Sequence, residues 1–340
     1  MKQAYLYQLL DEKEKKIECN LCSHRCKIAH EKRGICQVRE NRDGVLYSLV
    51  YCQLVSRGVD PIEKKPLFHF QPGSRSYSIA TVGCNFRCLH CQNWQISQYP
   101  RLNQGKITGE TWSPEAIVEE AVKTGSSSIS YTYVEPTIFF ETAYDTGKIA
   151  RKHGIKNIFV SNGYMTPECN SLLTEFLDGI NIDLKAFSDR FYKEVCKARL
   201  KPVLDSIEQL HQAGIWVEVT TLIIPGWNDS EGELREIARF IKGVDPGIPW
   251  HVTAFHPTYK MMDRPPTPAA TLRRAREIGL EEGLRFVYQG NIPGEGGENT
   301  FCPGCGTILI RRFGFSIQEN RISHDGKCPE CGELIEGVWK

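Results

Sequence analysis

The sequence predicts an α/β protein built on a complete or partial (β/α) barrel, with a doubly wound open sheet as the alternative. Three observations carry this. Apolar strand-like runs alternate with amphipathic helical stretches over residues 77–290, the pattern of parallel strands joined by crossover helices. At least six such repeats can be counted. The 340 residues also suggest about two domains at roughly 150 residues each, which leaves room for a smaller module at either end.

Strands are expected at 77–82 (YSIATV), 128–134 (SISYTYV), 155–160 (IKNIFV), 179–184 (GINIDL), 215–224 (IWVEVTTLII), 250–255 (WHVTAF) and 284–288 (LRFVY). A helix is expected over Pro114–Lys123, because Ser113 can accept from the first-turn amides and Pro114 suits the first helical position. Helical segments follow at 139–152, 168–177, 202–213, 231–242 and 268–282. Residues 1–76 differ: a charged first helix, a Cys-rich segment, short strand-like pieces (GVLYSLVYCQLV) and a Pro-containing arm (DPIEKKPLFHFQPGS). NIPGEGGENT, residues 291–300, has the Gly and Pro density of a linker. No Gly-Lys-Ser/Thr follows its glycines, which argues against a phosphate loop.

Charge is balanced, 42 Lys+Arg against 41 Asp+Glu, so no bulk basic field marks a nucleic-acid or membrane binder. Hydrophobic residues at 41% argue against disorder. No apolar run approaches the roughly 18 residues of a bilayer span, and the N-terminus is too charged for a signal peptide. A soluble, cytoplasmic protein is expected.

Fourteen cysteines in a reducing compartment point to metal or chemistry rather than disulfides. Eleven fall in three groups. Cys302-Pro-Gly-Cys305-Gly and Cys328-Pro-Glu-Cys331-Gly form paired knuckles, the pattern of a zinc ribbon. Cys19, Cys22, Cys26 and Cys36 also bind a metal on this reading, either structural zinc or an auxiliary iron–sulfur cluster, with His24 or His30 as substitute ligands. Cys84, Cys88 and Cys91 number only three and follow the first barrel strand. A closed zinc site or a protein-only cubane wants four ligands, so three leave one metal position open. Zinc completed by His90, or three metal-free thiols, are the alternatives. Cys52, Cys169 and Cys196 stand alone and are expected in the core.

The Cys-x3-Cys-x2-Cys of residues 84–91 resembles the signature of the radical S-adenosylmethionine (SAM) superfamily. The likeness is most specific toward activating enzymes of the pyruvate formate-lyase type. Val134-Glu135-Pro136 resembles their Gly-Glu-Pro, Ser161-Asn162-Gly163 their Thr-Asn-Gly, and Asp183-Leu184-Lys185 their Asp-Leu-Lys. Ile224-Pro225-Gly226-Trp227-Asn228-Asp229 and Phe255-His256 resemble their Val-Pro-Gly-Trp-Ser-Asp and Phe-His. CNLCSHRC, DPIEKKPLFHFQPGS, GCNFRCLHCQNW and YQGNIPGEGGENTFCPGCG are similar to a narrower branch, the radical SAM component of the AmmeMemoRadiSam system.

The resemblance implies a radical SAM partial (β/α)6 TIM barrel at 77–290, between a Cys-rich domain and arm at 1–76 and a linker with a zinc-ribbon-like domain at 291–340. It implies a [4Fe–4S] cluster on Cys84, Cys88 and Cys91, SAM on the fourth iron, and cleavage to a 5′-deoxyadenosyl radical that abstracts hydrogen from substrate. Glu135 or nearby backbone would meet the methionyl ammonium, Asn162 and Asp183 the ribose or ammonium, and Lys185 the carboxylate. His256 would lie near methionine and ribose, and His90 would contact adenine. All but His90 fall at the C-terminal ends of expected strands, which share one face in a parallel barrel. Two departures stand out: Tyr133-Val134 replaces paired glycines, and His90 replaces a common aromatic.

The activity implied is a radical SAM oxidoreductase, with glycyl-radical-enzyme activation as the nearest known chemistry. Its rivals are modification of a small molecule with AmmeMemoRadiSam partner proteins, and a non-catalytic zinc-ribbon protein binding nucleic acid or a partner. A reductant of flavodoxin or ferredoxin type is also implied.

Overall fold

The computed structural model describes residues 1–292 and 294–340. Pro293, within the expected linker, lies outside the described residues. The strands of the central sheet are numbered β1 Ser56–Pro61, β2 Arg75–Ala80, β3 Ser128–Tyr131, β4 Lys156–Ser161, β5 Gly179–Asp183, β6 Trp216–Ile223, β7 Trp250–Ala254 and β8 Val287–Gly290. They lie in the sheet in the order of the sequence. Strands β2 to β8 are mutually parallel, and β1 pairs antiparallel with β2. A doubly wound sheet reverses its strand order at a switch point; this sheet does not, so that alternative is excluded.

The helices between the strands are α1 Pro114–Lys123, α2 Phe140–Lys152, α3 Pro167–Leu173, α4 Lys201–Gln212, α5 Glu231–Val244 and α6 Ala269–Glu281. The Ser113 side chain accepts from Ala116 N and fixes the start of α1. Thr166 and Ser230 do the same for α3 and α5. Each helix turns its apolar stripe to the sheet; Leu234, Ile237, Ala238 and Ile241 are the buried face of α5.

Two expectations are corrected. The charged N-terminal helix is a hairpin, Tyr7–Asp11 against Lys16–Cys19, with Leu9 opposite Ile17. The Asp11 carboxylate accepts from Lys13 N at 2.8 Å and Glu14 N at 2.9 Å, which closes a turn where a helix would otherwise continue. The second concerns the stretch that leads into the arm: Ser56–Pro61, expected outside the sheet, is strand β1 of the central sheet itself.

The core of the Cys-rich segment is continuous with that of the sheet; Ile17, Leu21, Val38 and Leu46 are buried in the same cluster as Ile79, Phe86 and Tyr131. At the other end Thr300–Phe301, Ile308–Phe313 and Ser316–Asn320 form a three-stranded antiparallel sheet. Its Leu309 and Ile310, with Ile335 of the tail, pack on Phe68, Phe286 and Tyr288. Beneath them a buried polar network closes the end of the sheet opposite the cysteines. Glu218 of β6 accepts from Phe68 N (3.0 Å), His69 N (2.8 Å) and Trp216 Nε1 (3.0 Å), and pairs with His251 Nε2 at 2.6 Å. No helix is long and apolar enough to cross a membrane among the described residues.

Candidate functional site

The loop after β2 carries Cys84, Cys88 and Cys91, all partly buried. Bonds from every side fix its path. Gly83 N donates to Ile96 O (3.0 Å), Arg87 N to Cys196 O (3.0 Å) and Leu89 N to Val195 O (3.1 Å). The Arg101 guanidinium donates to Cys84 O at 2.9 Å, and Asn93 Nδ2 to Tyr133 O at 2.9 Å. Gly83 has φ of +100°, and a Cβ there would meet Val38 Cγ1 at 2.6 Å, so only glycine lets the Cys-rich segment approach this closely.

The thiols are poorly suited to remain free thiolates. Contact with Cys196 and then burial push Cys88 well up, while burial and then Glu135 raise Cys84. Burial, then Cys88, raises Cys91, opposed by the Ser97 hydroxyl at 3.2 Å. Deprotonation therefore requires a cation, as metal coordination supplies. A single tetrahedral zinc with bonds of about 2.3 Å needs sulfurs about 3.8 Å apart. No three ligand atoms of Cys84, Cys88, Cys91 and His90 lie within 4.8 Å of one another. A polynuclear cluster, which binds each thiolate through a different iron, fits this spread.

The other expected residues stand around the loop. The Glu135 carboxylate is buried and accepts from Thr137 N (3.1 Å), Thr137 Oγ1 (2.6 Å), Ser161 Oγ (2.8 Å) and Asn162 N (2.7 Å). Its side chain thus holds the ends of β3 and β4 together. Asn162 Nδ2 donates to Asn85 Oδ1 at 2.8 Å, inside the cysteine loop. Lys185 Nζ lies 2.7 Å from Asp183 Oδ2. Burial opposes its charge, but Asp183 and then the thiols of Cys88 and Cys196 raise it well above the usual lysine value. Asn228 Nδ2 donates to Lys185 O (2.6 Å) and Leu222 O (2.9 Å), and its Oδ1 accepts from Ile224 N (2.6 Å). That amide holds the loop, with both of its N–H donors engaged by backbone carbonyls.

His90 is buried and its Nδ1 has no partner. Burial, then repulsion from Lys185, lowers it to about 3, so the ring is neutral at physiological pH despite being titratable in principle. Tyr133, in place of glycine, has φ of +64°. Its hydroxyl donates to Asp60, and Lys65 Nζ lies 4.6 Å from its ring centre. His256 is exposed and lines a cavity of about 370 Å³ together with Gln92, Gln289, Asn291 and the hairpin tip Gly314–Phe315. The loop that follows crosses the cysteine loop: Lys260 N donates to Leu89 O at 3.0 Å, and Tyr259 stacks on Trp94 at 5.1 Å.

Cys196 is buried in the core, as its isolation in the sequence suggested, and it also touches the cysteine loop. It is fully buried at the end of a π-helical turn, Tyr192–Cys196, against Cys88. The π turn is the signal, visible only in three dimensions. Cys52 and Cys169 are buried as expected. At the C-terminus, Cys302 and Cys331 Sγ are 3.5 Å apart, and Cys305 and Cys328 Sγ 3.7 Å. Among the described residues these four alone gather as ligands for a single ion.

Comparison with known proteins agrees with this geometry. Residues 78–241 match the family model of the radical SAM superfamily. The chain is 46% identical over 340 residues to an uncharacterised protein of Methanocaldococcus jannaschii, covering 99% of this chain and 100% of the relative. A putative glycyl-radical enzyme activating enzyme of the same organism is 24% identical over 219 residues, covering 61% of this chain and 78% of the relative. The GTP 3′,8-cyclase of Listeria monocytogenes is 25% identical over 269 residues, covering 74% and 77%. Among solved structures, Streptococcus suis SuiB bound to S-adenosylmethionine superposes with a TM-score of 0.52 at 14% identity, covering 68% of this chain and 53% of SuiB. The cysteine loop, the parallel sheet that presents it and these likenesses agree: the chain belongs to the radical SAM superfamily.

Proposed function

We propose that this protein is a radical SAM oxidoreductase that binds one [4Fe–4S] cluster on Cys84, Cys88 and Cys91 and acts on a substrate seated over the C-terminal rim of the sheet. The observation that carries the reading is the spread of three thiols on one loop, too wide for a single ion, beside the Asp183–Lys185 pair. The cluster, when bound, supplies the electron that cleaves SAM to methionine and a 5′-deoxyadenosyl radical.

The chain's own groups do the rest. Lys185 holds a fixed positive charge next to Cys88, suited to a carboxylate. Asp183, partly exposed, offers an acceptor to an ammonium or a ribose hydroxyl. Glu135 and Asn162 position the loop: the four bonds accepted by Glu135 leave the neighbouring backbone to meet the ligand. The neutral ring of His90 offers a flat surface to adenine. His256 and Gln92 face the cavity beside the rim, where a substrate would lie within reach of the radical.

The sheet is read as a partial (β/α)6 barrel extended by β8. The divisions 1–76, 77–290 and 291–340 are proposed as the Cys-rich domain and arm, the barrel, and the linker with a zinc ribbon. Support for zinc in that ribbon comes from the Sγ separations of 3.5 and 3.7 Å. We place the protein in the cytoplasm, reduced by a flavodoxin or ferredoxin type of donor.

The nearest chemistry is activation of a glycyl-radical enzyme, supported by the 24% identical activating-enzyme relative. A second reading is modification of a small molecule with AmmeMemoRadiSam partners. It is favoured by Tyr133, which fills the place of a glycine and turns its side chain to Asp60. Deuterium transfer into 5′-deoxyadenosine separates the two. Transfer from a labelled glycyl-radical protein supports activation, and transfer only from a small molecule overturns it.

A further inference from the structure

Cys19, Cys22, Cys26 and Cys36 do not surround a single-ion site. All four line one recess, together with Leu21, Ile28, Ile35 and Ile138. No three of these sulfurs lie within 4.8 Å of one another. The contrast within the same chain is direct: the C-terminal quartet is drawn to 3.5 and 3.7 Å without any ion, close to the roughly 3.8 Å that zinc requires.

The recess also presents donors with nothing to bind. Arg39 is 2% exposed and Asn85 1% exposed, and both line it. Arg39 Nε and Asn85 Nδ2 have no hydrogen-bond partner, although Arg39 Nη1 and Nη2 are engaged by Glu141 at 3.0 and 2.9 Å. Buried donors left unpaired are costly. A zinc thiolate site offers acceptors only on its four cysteines, whereas a cubane adds inorganic sulfides that take N–H bonds.

From this we infer that the N-terminal cysteines hold a second, auxiliary [4Fe–4S] cluster rather than zinc, with the guanidinium of Arg39 and the amide of Asn85 donating to its sulfur atoms. Asn85 places that cluster against the SAM-binding loop, because its Oδ1 accepts from Asn162 while its carbonyl lies 2.9 Å from His24 Nε2. Arg101 joins the same two segments, donating to Ile35 O beside Cys36 and to Cys84 O. The inference adds to the radical SAM reading but stands on the N-terminal geometry alone.

The chain, reconstituted anaerobically with iron, sulfide and zinc, tests it by elemental analysis and by electron paramagnetic resonance after reduction with dithionite. The wild type should carry about eight irons and one zinc, and the triple variant Cys84→Ala/Cys88→Ala/Cys91→Ala about four irons with a reduced-cluster signal that SAM does not alter. Cys22→Ser/Cys26→Ser should lose half of the iron and keep a signal that SAM alters. Should that variant fail to fold, the triple variant decides alone. About four irons with two zincs in the wild type, together with an iron-free triple variant, overturns the auxiliary cluster and leaves the SAM cluster standing. Iron retained by the triple variant with no SAM cleavage by the wild type does the reverse.

Discussion

His24 Nε2 lies 2.9 Å from the carbonyl oxygen of Asn85, so one hydrogen bond joins the N-terminal cysteine segment to the loop of Cys84, Cys88 and Cys91. A net hydrogen bond is worth about 1 kcal/mol, or roughly a fivefold change in an opening equilibrium. His24→Ala is therefore expected to speed amide exchange across residues 84–91 about fivefold while global stability falls by a similar energy. Unchanged exchange in that loop would show that the contact does not hold it.

Lys185 is expected to bind the SAM carboxylate. Losing a charge-assisted bond costs about 1.5–3 kcal/mol, so Lys185→Ala should weaken SAM binding roughly 10- to 150-fold with iron content unchanged, and Lys185→Arg should restore part of it. Equilibrium binding of SAM to the reconstituted protein reads this directly. Iron loss in step with SAM loss would instead place Lys185 in support of the cluster.

The C-terminal quartet is expected to release its metal as a unit. Cys302→Ser should remove one equivalent of zinc and leave iron unchanged. Because Leu309 and Ile335 pack on Phe286 and Tyr288, the edge at β8 should also lose exchange protection. In small domains such an ion supplies most of the folding energy. Zinc retained in Cys302→Ser would contradict a four-thiolate site.

His69 ties the arm to the C-terminal tail: its Nδ1 lies 2.6 Å from Glu336 O, and Val338 N donates to its carbonyl at 2.7 Å. Burial, the largest influence, lowers its pKa from 6.5 to about 4 against the attraction of Glu218. Between those values the unfolded chain binds a proton that the folded chain refuses. The stabilisation from a neutral His69 is therefore complete above pH 6.5 and is lost as pH falls toward 4, to the extent of about 3 kcal/mol. Thermal unfolding between pH 7 and 4 should show this slope, and His69→Gln should flatten it while lowering stability at pH 7. An unaltered slope in the variant would remove His69 as its source.

Much of the fold was legible because local chemistry and tertiary structure agree. Ser113-Pro114 sets the start of α1 where expected, and the alternation of apolar runs marks all seven parallel strands within a few residues. The sequential strand order was not legible, since periodicity is the same in either winding. Nor was the hairpin at Tyr7–Cys19: the charges of residues 11–16 suit a helix surface as well as a turn, and the carboxylate bonds of Asp11 decided it. In the site, the cysteine spacing announced the loop. The burial of Glu135 under four donors, the engagement of Asn228 by backbone and the approach of Cys196 to Cys88 depend on contacts between distant segments. The Glu218–His251–His69 network was missed for the same reason; each residue alone reads as an ordinary strand or loop residue.

Cys84, Cys88 and Cys91 are proposed to hold the cluster that cleaves SAM. Formation of 5′-deoxyadenosine from SAM by the anaerobically reconstituted protein with dithionite measures it most directly. Cleavage by the wild type that disappears in Cys84→Ala, Cys88→Ala and Cys91→Ala is the predicted result. Cleavage that survives any of these substitutions, or a fully iron-loaded wild type that forms no 5′-deoxyadenosine, would contradict it.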